Sequence, residues 1–444
     1  TAYEIYQCDW SSDVCSSDLQ KAFLSWRGMS AYDRSVILRR AANLVRERID
    51  YMAAIMTQEQ GKPLAESKGE LMFSADTIDW FAEEGRRAYG RIVPARAPGH
   101  TYIVTHEPLG VVAGFTPWNF PAFTPARKIG GALAAGCSII LKAAEETPGS
   151  AVEFVRCFED AGLPKGVLNL VFGVPAQVSQ HLIASPVVQK ISLTGSPGVG
   201  RQLAALAAQG LKRTTLELGG HAPVIVFDDA DAEKVADMMV AFKYRNCGQV
   251  CIAPSRFFVQ EGIYNRFVDR FIEGANARKV GNGMDASVTM GALANDRRLD
   301  AMDAIVADAL NHGGKVRAGG RRIGNEGFFF GPTVVTDVPD SSQIMAEEIF
   351  GPVAPIVPFG SFDEVIERAN AVPYGLASYA FTSSHATAQR VQAGIAAGMV
   401  GVNTTAVSTT ESPFGGIKNS GYGEEAGMEG LLAYMHVKTV AQAF

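Results

Sequence analysis

Residues 244–256 read Tyr-Arg-Asn-Cys-Gly-Gln-Val-Cys-Ile-Ala-Pro-Ser-Arg. Cys251 follows a Gly-Gln turn and precedes a β-rich run at 256–260. A cysteine in that setting can present its sulfur at the floor of a cleft. Two fragments complement it: Pro117-Trp118-Asn119-Phe120-Pro121 and Leu216-Glu217-Leu218-Gly219-Gly220. Together they offer a nucleophile, an amide donor and a carboxylate. That set can attack a carbonyl carbon, hold the oxyanion and activate a water. Each residue also has a plainer reading: a buried structural thiol, a turn asparagine, a solvated strand-end acid. The companion motifs favour the chemical one.

These groups need elements to hold them. A helical stripe covers residues 33–60 (Ile37, Leu38, Ala41, Leu44, Val45, Ile49, Met52, Ile55, Met56) and is ended by Gly61 and Pro63. A second helix is predicted over 71–87, a connector at 94–98 and an exposed strand at 101–106. Alternation then begins. Strands are predicted at 111–115, 138–142, 168–172, 191–193, 214–218 and 224–227, with helices at 126–135 and 149–161. Such βαβ alternation implies a parallel, doubly wound sheet, with ligands beyond the carboxyl ends of the strands. Asn119, Lys142, Gly195 and Glu217 fall at or just after predicted strand ends. A second alternating unit, 231–403, carries Cys251. Gly195-Ser196-Pro197-Gly198-Val199-Gly200 opens a helix whose N-terminus can take a pyrophosphate. Its glycines depart from the G-x-G-x-x-G pattern.

At 444 residues the chain is long enough for two α/β units, and 47% hydrophobic residues support a large core. A net charge of −6 gives no basic footprint for nucleic acid. The longest apolar run, 129–141, falls short of the roughly 20 residues needed to span a bilayer. Six cysteines fit no disulfide framework, and the expected location is the reducing cytoplasm. The histidines carry no zinc signature. His100 and His106 read as loop residues, and no metal is expected.

With Glu347-Glu348-Ile349-Phe350-Gly351-Pro352 and Pro413-Phe414-Gly415-Gly416, the fragments above resemble the aldehyde dehydrogenase superfamily. The likeness runs from about residue 20 to 444, with several motifs in the family's order and spacing. It implies an α/β fold with a Rossmann-type cofactor domain (20–89 and 109–219), a catalytic domain (220–419) and oligomerisation segments (90–108 and 430–444), hence a homodimer or homotetramer. It implies Cys251 as nucleophile, Glu217 as the base for the deacylating water and Asn119 as oxyanion donor. Trp118, Lys142, Glu145, Gly195, Ser196, Glu348 and Phe350 are implied to bind the dinucleotide. A carboxylate at Glu145 would repel a 2′-phosphate, which favours NAD over NADP.

Arg127 and Arg245 carry the substrate clue. They lie eight residues after Asn119 and six before Cys251. Members resembling succinate-semialdehyde dehydrogenases carry arginines at both places, where members acting on apolar aldehydes tend to carry aromatics. Ser408 or Thr409 matches a hydroxyl donor of that subgroup. The expected activity is NAD-dependent oxidation of succinate semialdehyde. Glutarate or 2-oxoglutarate semialdehyde is the alternative substrate, and a truncated, non-catalytic member of the fold the alternative class. Ala253 stands where many of the subgroup have a second cysteine, so no redox switch of that kind is expected, and Cys247 is a poor substitute.

Residues 1–19 hold Cys8, Cys15 and four acids, with no Lys or Arg. Without them the chain has 40 basic and 42 acidic residues. The segment resembles translated sequencing-adaptor sequence, and the expectation is that it replaces a native N-terminus.

Overall fold

The computed structural model describes residues 12–444. Of the suspect segment, residues 1–11 lie outside that range, and helix α1 (Ser12–Gly28) takes in the rest. Trp26 anchors α1 by donating through Nε1 to the Leu133 carbonyl at 3.0 Å. The predicted 33–60 helix is two helices, α2 (Ala31–Glu47) and α3 (Ile49–Gln60), broken at Arg48. The apolar stripe runs on through this one-residue break, so periodicity alone does not reveal it. Gly61 ends α3 at φ 95°. Helix α4 (Leu64–Glu84) starts directly after Pro63, earlier than expected. Its first turns bury Ser67 and Glu70 rather than apolar residues, so they carry no stripe.

Strands β1 (Arg91–Pro94) and β2 (His100–Pro108) follow. His100 and His106 lie on β2, not in loops. Next come β3 (Val111–Phe115), α5 (Phe123–Ala135), β4 (Ser138–Lys142), α6 (Pro148–Asp160), β5 (Leu168–Val171), α7 (Pro175–Ala184), β6 (Val188–Thr194), α8 (Pro197–Gln209) and β7 (Arg213–Glu217). Strands β3 to β7 form a parallel sheet in the order β7-β6-β3-β4-β5. Val112 packs into one core, and Val111 and Ala113 into another. Helices on both faces bury β3 and β4 at every position, which is why these two strands stand out in the sequence. The apolar run 129–141 is shared between α5 and β4.

The second sheet opens earlier than residue 231, with β8 (Ala222–Val226). Helix α9 (Ala232–Tyr244) leads to β9 (Pro254–Gln260), then α10 (Tyr264–Asn276), α11 (Asp296–Asn311), β10 (Lys315–Ala318), β11 (Thr333–Thr336), β12 (Val353–Phe359), β13 (Ala377–Phe381) and β14 (Met399–Val402). The order is β10-β11-β12-β9-β8-β13-β14, parallel except for edge strand β10. Strand β15 (Gly421–Tyr422) then returns to the first sheet, antiparallel to β7, with Gly421 opposite Glu217. Strand β16 (Met435–Ala443) joins β2 and β1 in a third, antiparallel sheet. Among the described residues no helix is long and apolar enough to cross a membrane.

Candidate active site

A cavity of about 740 Å³ is lined by β6 and β7 of the first sheet and by segments that adjoin both large sheets. It gathers Cys251, Glu217, Asn119, Trp118, Gly195, Ser196, Glu348, Phe350, Arg127, Arg245 and Ser408. Lys142 and Glu145 are not among its lining residues. They form an ion pair with each other at the end of β4, with Lys142 buried and Glu145 exposed on its side chain.

The turn before Cys251 is strained. Asn246, Cys247 and Gly248 all adopt positive φ, at 50°, 54° and 71°. For non-glycine residues this conformation costs roughly 1–2 kcal/mol each. Surrounding contacts fix it. The Asn246 N–H donates to Glu66 Oε2 at 2.7 Å, and its side-chain Nδ2 donates to the Asn119 carbonyl at 2.9 Å. Gln249 Nε2 donates to the Asn246 carbonyl at 3.1 Å, and Gln249 Oε1 accepts from the Ala294 N–H at 2.9 Å. Cys247 is buried away from solvent, while Cys251 is partly exposed and borders the cavity. Burial, then the charge of Glu348, pushes the Cys251 thiol up to about 12, and Arg127 acts in the opposite direction.

Asn119 is fixed from two sides. Its Nδ2 donates to the Gln249 carbonyl at 3.0 Å, and its own carbonyl accepts from Lys62 Nζ at 2.7 Å. The amide has a second N–H. Glu217 is buried, and neither of its carboxyl oxygens has a hydrogen-bond partner among the described residues. Burial first, then the charge of Glu425, holds its carboxyl well above the usual carboxylate range, with Arg127 and Lys128 opposing.

Gly219 and Gly220 allow a close approach here. A Cβ on Gly219 would collide with the Glu348 carboxylate, and one on Gly220 would lie 2.5 Å from the Cys251 carbonyl oxygen. The Gly220 N–H donates to Glu348 Oε1 at 3.0 Å. Phe350 holds a positive φ of 46°, and Arg298 Nη2 donates to the Ile349 and Phe350 carbonyls at 2.6 and 2.9 Å. The Trp118 ring meets Phe350 edge-on at 5.7 Å.

These features suit a dinucleotide. Gly195 and Ser196 line the cavity at the start of α8, where Ser196 Oγ accepts from the Val199 N–H and Pro197 has no N–H, so the Gly198 N–H is the open amide of that first turn among the described residues. The side-chain-free Gly219 lets the Glu348 carboxylate sit against the backbone at the cavity wall.

The opposite end is cationic and aromatic. The Arg127 side chain is buried, donates through Nη2 to Ser408 Oγ at 2.8 Å, and lies 4.2 and 3.8 Å from the Phe123 and Phe414 ring centroids. Arg245 lies 5.0 Å from the Phe242 centroid and 5.8 Å from that of Phe120. Both Nε atoms lack a partner, and neither arginine has an acid within ion-pair distance among the described residues. Of the two expected hydroxyls, only Ser408 serves Arg127. Thr409 bonds with Ser412 at 2.9 Å and is not among the lining residues.

Sequence reasoning missed Lys62, Glu66, Glu70, Arg298 and the buried Lys128–Glu425 pair. Lys62 had one local signal, its place between a helix-ending glycine and a proline. The others had none.

Residues 13–440 match the aldehyde dehydrogenase family. The chain belongs to that family. A 4-(hydroxymethyl)benzenesulfonate dehydrogenase of Comamonas testosteroni is 50% identical over 94% of this chain and 87% of its own length. The NADP-linked succinate-semialdehyde dehydrogenase of Escherichia coli is 43% identical over 94% of this chain and 87% of its own. The crystal structure of succinate-semialdehyde dehydrogenase from Burkholderia pseudomallei superposes with a TM-score of 0.95 at 43% identity, covering 97% of this chain and 89% of that one. This aldehyde dehydrogenase therefore oxidises an aldehyde with a nicotinamide dinucleotide as acceptor.

Proposed function

We propose that the enzyme oxidises an aldehyde bearing an anionic group at its far end, with succinate semialdehyde as the leading substrate. The observation that carries this is Arg127. A buried guanidinium without an acidic partner is costly unless a ligand anion completes it. Arg245 supplies a second cation, and two guanidiniums suit one carboxylate.

Cys251 is the nucleophile in this reading. Its sulfur, as the thiolate, bonds to the carbonyl carbon while the π pair moves to oxygen, to which the second N–H of Asn119 donates a hydrogen bond. The carbon then loses its hydrogen as a hydride, for which a bound dinucleotide would be the acceptor, and the oxyanion pair re-forms the C=O as a thioester on Cys251. Glu217 then takes a proton from water as that water adds to the thioester. The C–S bond breaks, releasing the carboxylic acid and the thiol. A carboxyl that burial holds above the usual carboxylate range is a stronger base than a solvated one, which suits that step. Lys142 and Glu145 would hold the adenosine ribose, and Glu348 the nicotinamide ribose. The carboxylate of Glu145 favours NAD. We place assembly into a homodimer or homotetramer on the β1-β2-β16 sheet.

A second reading keeps a negative charge at the far end but makes it a sulfonate on an aromatic ring. It rests on the relative named for 4-(hydroxymethyl)benzenesulfonate, the alcohol at the oxidation level below such an aldehyde, and on Phe73, Phe120, Phe123, Phe242 and Phe414 around the cavity. The test is a panel of succinate semialdehyde, glutarate semialdehyde, 4-formylbenzenesulfonate and butanal, followed by reduced-cofactor absorbance. The expected order puts an anionic aldehyde first and butanal last. Equal kcat/KM across the panel would count against an anion site, and a lead for the sulfonate would select the second reading.

A further inference from the structure

Lys62 has no assigned role, yet it is buried at the seam between the nucleophile turn and the Asn119 loop. Its side chain is 1% exposed. The ammonium donates to Glu70 Oε2 at 2.5 Å and to the Asn119 carbonyl at 2.7 Å, and lies 4.3 Å from the Phe120 ring centroid. Glu70 uses its other oxygen to accept from the Ala122 and Phe123 N–H groups at 2.8 and 3.1 Å, at the entry to α5. One turn earlier, Glu66 accepts from Asn246. The start of α4 thus grips both sides of the carbonyl site: the loop carrying the amide donor and the turn leading to the sulfur.

We infer that Lys62 is a positioning residue that sets the Asn119 amide where the oxyanion forms. The inference rests on the reading of Asn119 as oxyanion donor. Lys62 fixes the Asn119 backbone while Gln249 fixes its amide, so the residue cannot rotate about either end alone. A donor placed 1 Å off loses much of its effect, because stabilisation of this kind depends on preorganised geometry. Lys62 itself exchanges no proton with the substrate. Its charge is balanced by Glu70, and its contribution passes through the position of one carbonyl.

A double-mutant cycle separates this role from general support of the fold. The readout is the first-order rate of the pre-steady-state burst of reduced cofactor, with thermal stability and dinucleotide Kd measured alongside. Removing one oxyanion donor typically costs about 10²–10³ in rate. Asn119→Ala should fall in that range. Lys62→Met should slow the burst by about tenfold or more while leaving dinucleotide Kd within about twofold. In the Asn119→Ala background, Lys62→Met should change the rate by less than about twofold, since the two residues act as one unit. Equal slowing by Lys62→Met in both backgrounds, or none in the wild type, would overturn the inference. An undiminished burst in Asn119→Ala would instead overturn the underlying oxyanion assignment. Because Lys62→Met leaves Glu70 buried without its partner, the cycle is also run with Lys62→Met/Glu70→Gln. That variant removes the stranded charge and keeps the acceptor for Ala122 and Phe123.

Discussion

Arg127 and Ser408, 281 residues apart in the chain, meet through a 2.8 Å hydrogen bond from Nη2 to Oγ. The hydroxyl sets the rotation of a guanidinium already held between Phe123 and Phe414. A hydrogen bond to a charged group contributes about 1.5–3 kcal/mol. Ser408→Ala should therefore raise KM for an anionic aldehyde by roughly ten- to hundredfold and leave butanal unchanged. Thr409→Ala should do neither, since that hydroxyl turns to Ser412. Steady-state kinetics on both variants with both aldehydes checks this.

Cys251→Ala should abolish production of reduced cofactor. Glu217→Gln should still give a burst near one equivalent per active site and then stall at the thioester. Rapid-mixing absorbance distinguishes the two. A Glu217→Gln enzyme that turns over at the normal rate would remove Glu217 from the mechanism.

The same carboxyl makes a prediction about stability. The folded protein holds the Glu217 proton more tightly than the unfolded chain does, because burial penalises the charge. That contribution is fully present below the unfolded carboxyl pKa and is lost as pH rises through the raised folded value. Glutamine has no proton to lose. The Tm advantage of Glu217→Gln over wild type should therefore grow as pH is raised from 5 to 8. A difference that is constant or shrinks over that range would contradict it.

Cofactor choice turns on Glu145, whose carboxylate pairs with Lys142. Glu145→Ser should raise the ratio of kcat/KM for NADP to that for NAD, since a repelling charge near the 2′ position is removed. If the unmodified enzyme uses both cofactors equally, Glu145 does not set the choice.

Much of the scaffold was legible because its central strands, such as β3, β4 and β8, are buried on both faces and its helix stops carry glycine, as at Gly61 and Gly136. The break at Arg48 was not, because the stripe keeps its phase across it. Nor was the start of α4, which buries polar residues that serve distant loops. Glu66 reaches Asn246 across 180 residues, and Glu70 reaches Ala122 across 52. Contacts at such separations leave no local pattern. The choice between Ser408 and Thr409 was equally closed to spacing, since neighbours in an irregular segment point in different directions. Arg127 and Arg245 were legible only by their offsets from Asn119 and Cys251, through the family resemblance.

The anion site is tested most directly at Arg245. Arg127 also favours the charged forms of Cys251 and Glu217, so its loss would slow neutral aldehydes too. Arg245 is not among the principal charges acting on either group, which makes Arg245→Ala the cleaner variant. Leaving a buried charge unpaired typically costs about 2–5 kcal/mol, and about 1.4 kcal/mol is a factor of ten. The measurement is kcat/KM for succinate semialdehyde and for butanal, on wild type and Arg245→Ala. The expected result is a loss of at least about tenfold for succinate semialdehyde with butanal nearly unchanged. Parallel losses for the two aldehydes would mean that Arg245 supports the fold and does not bind the substrate anion.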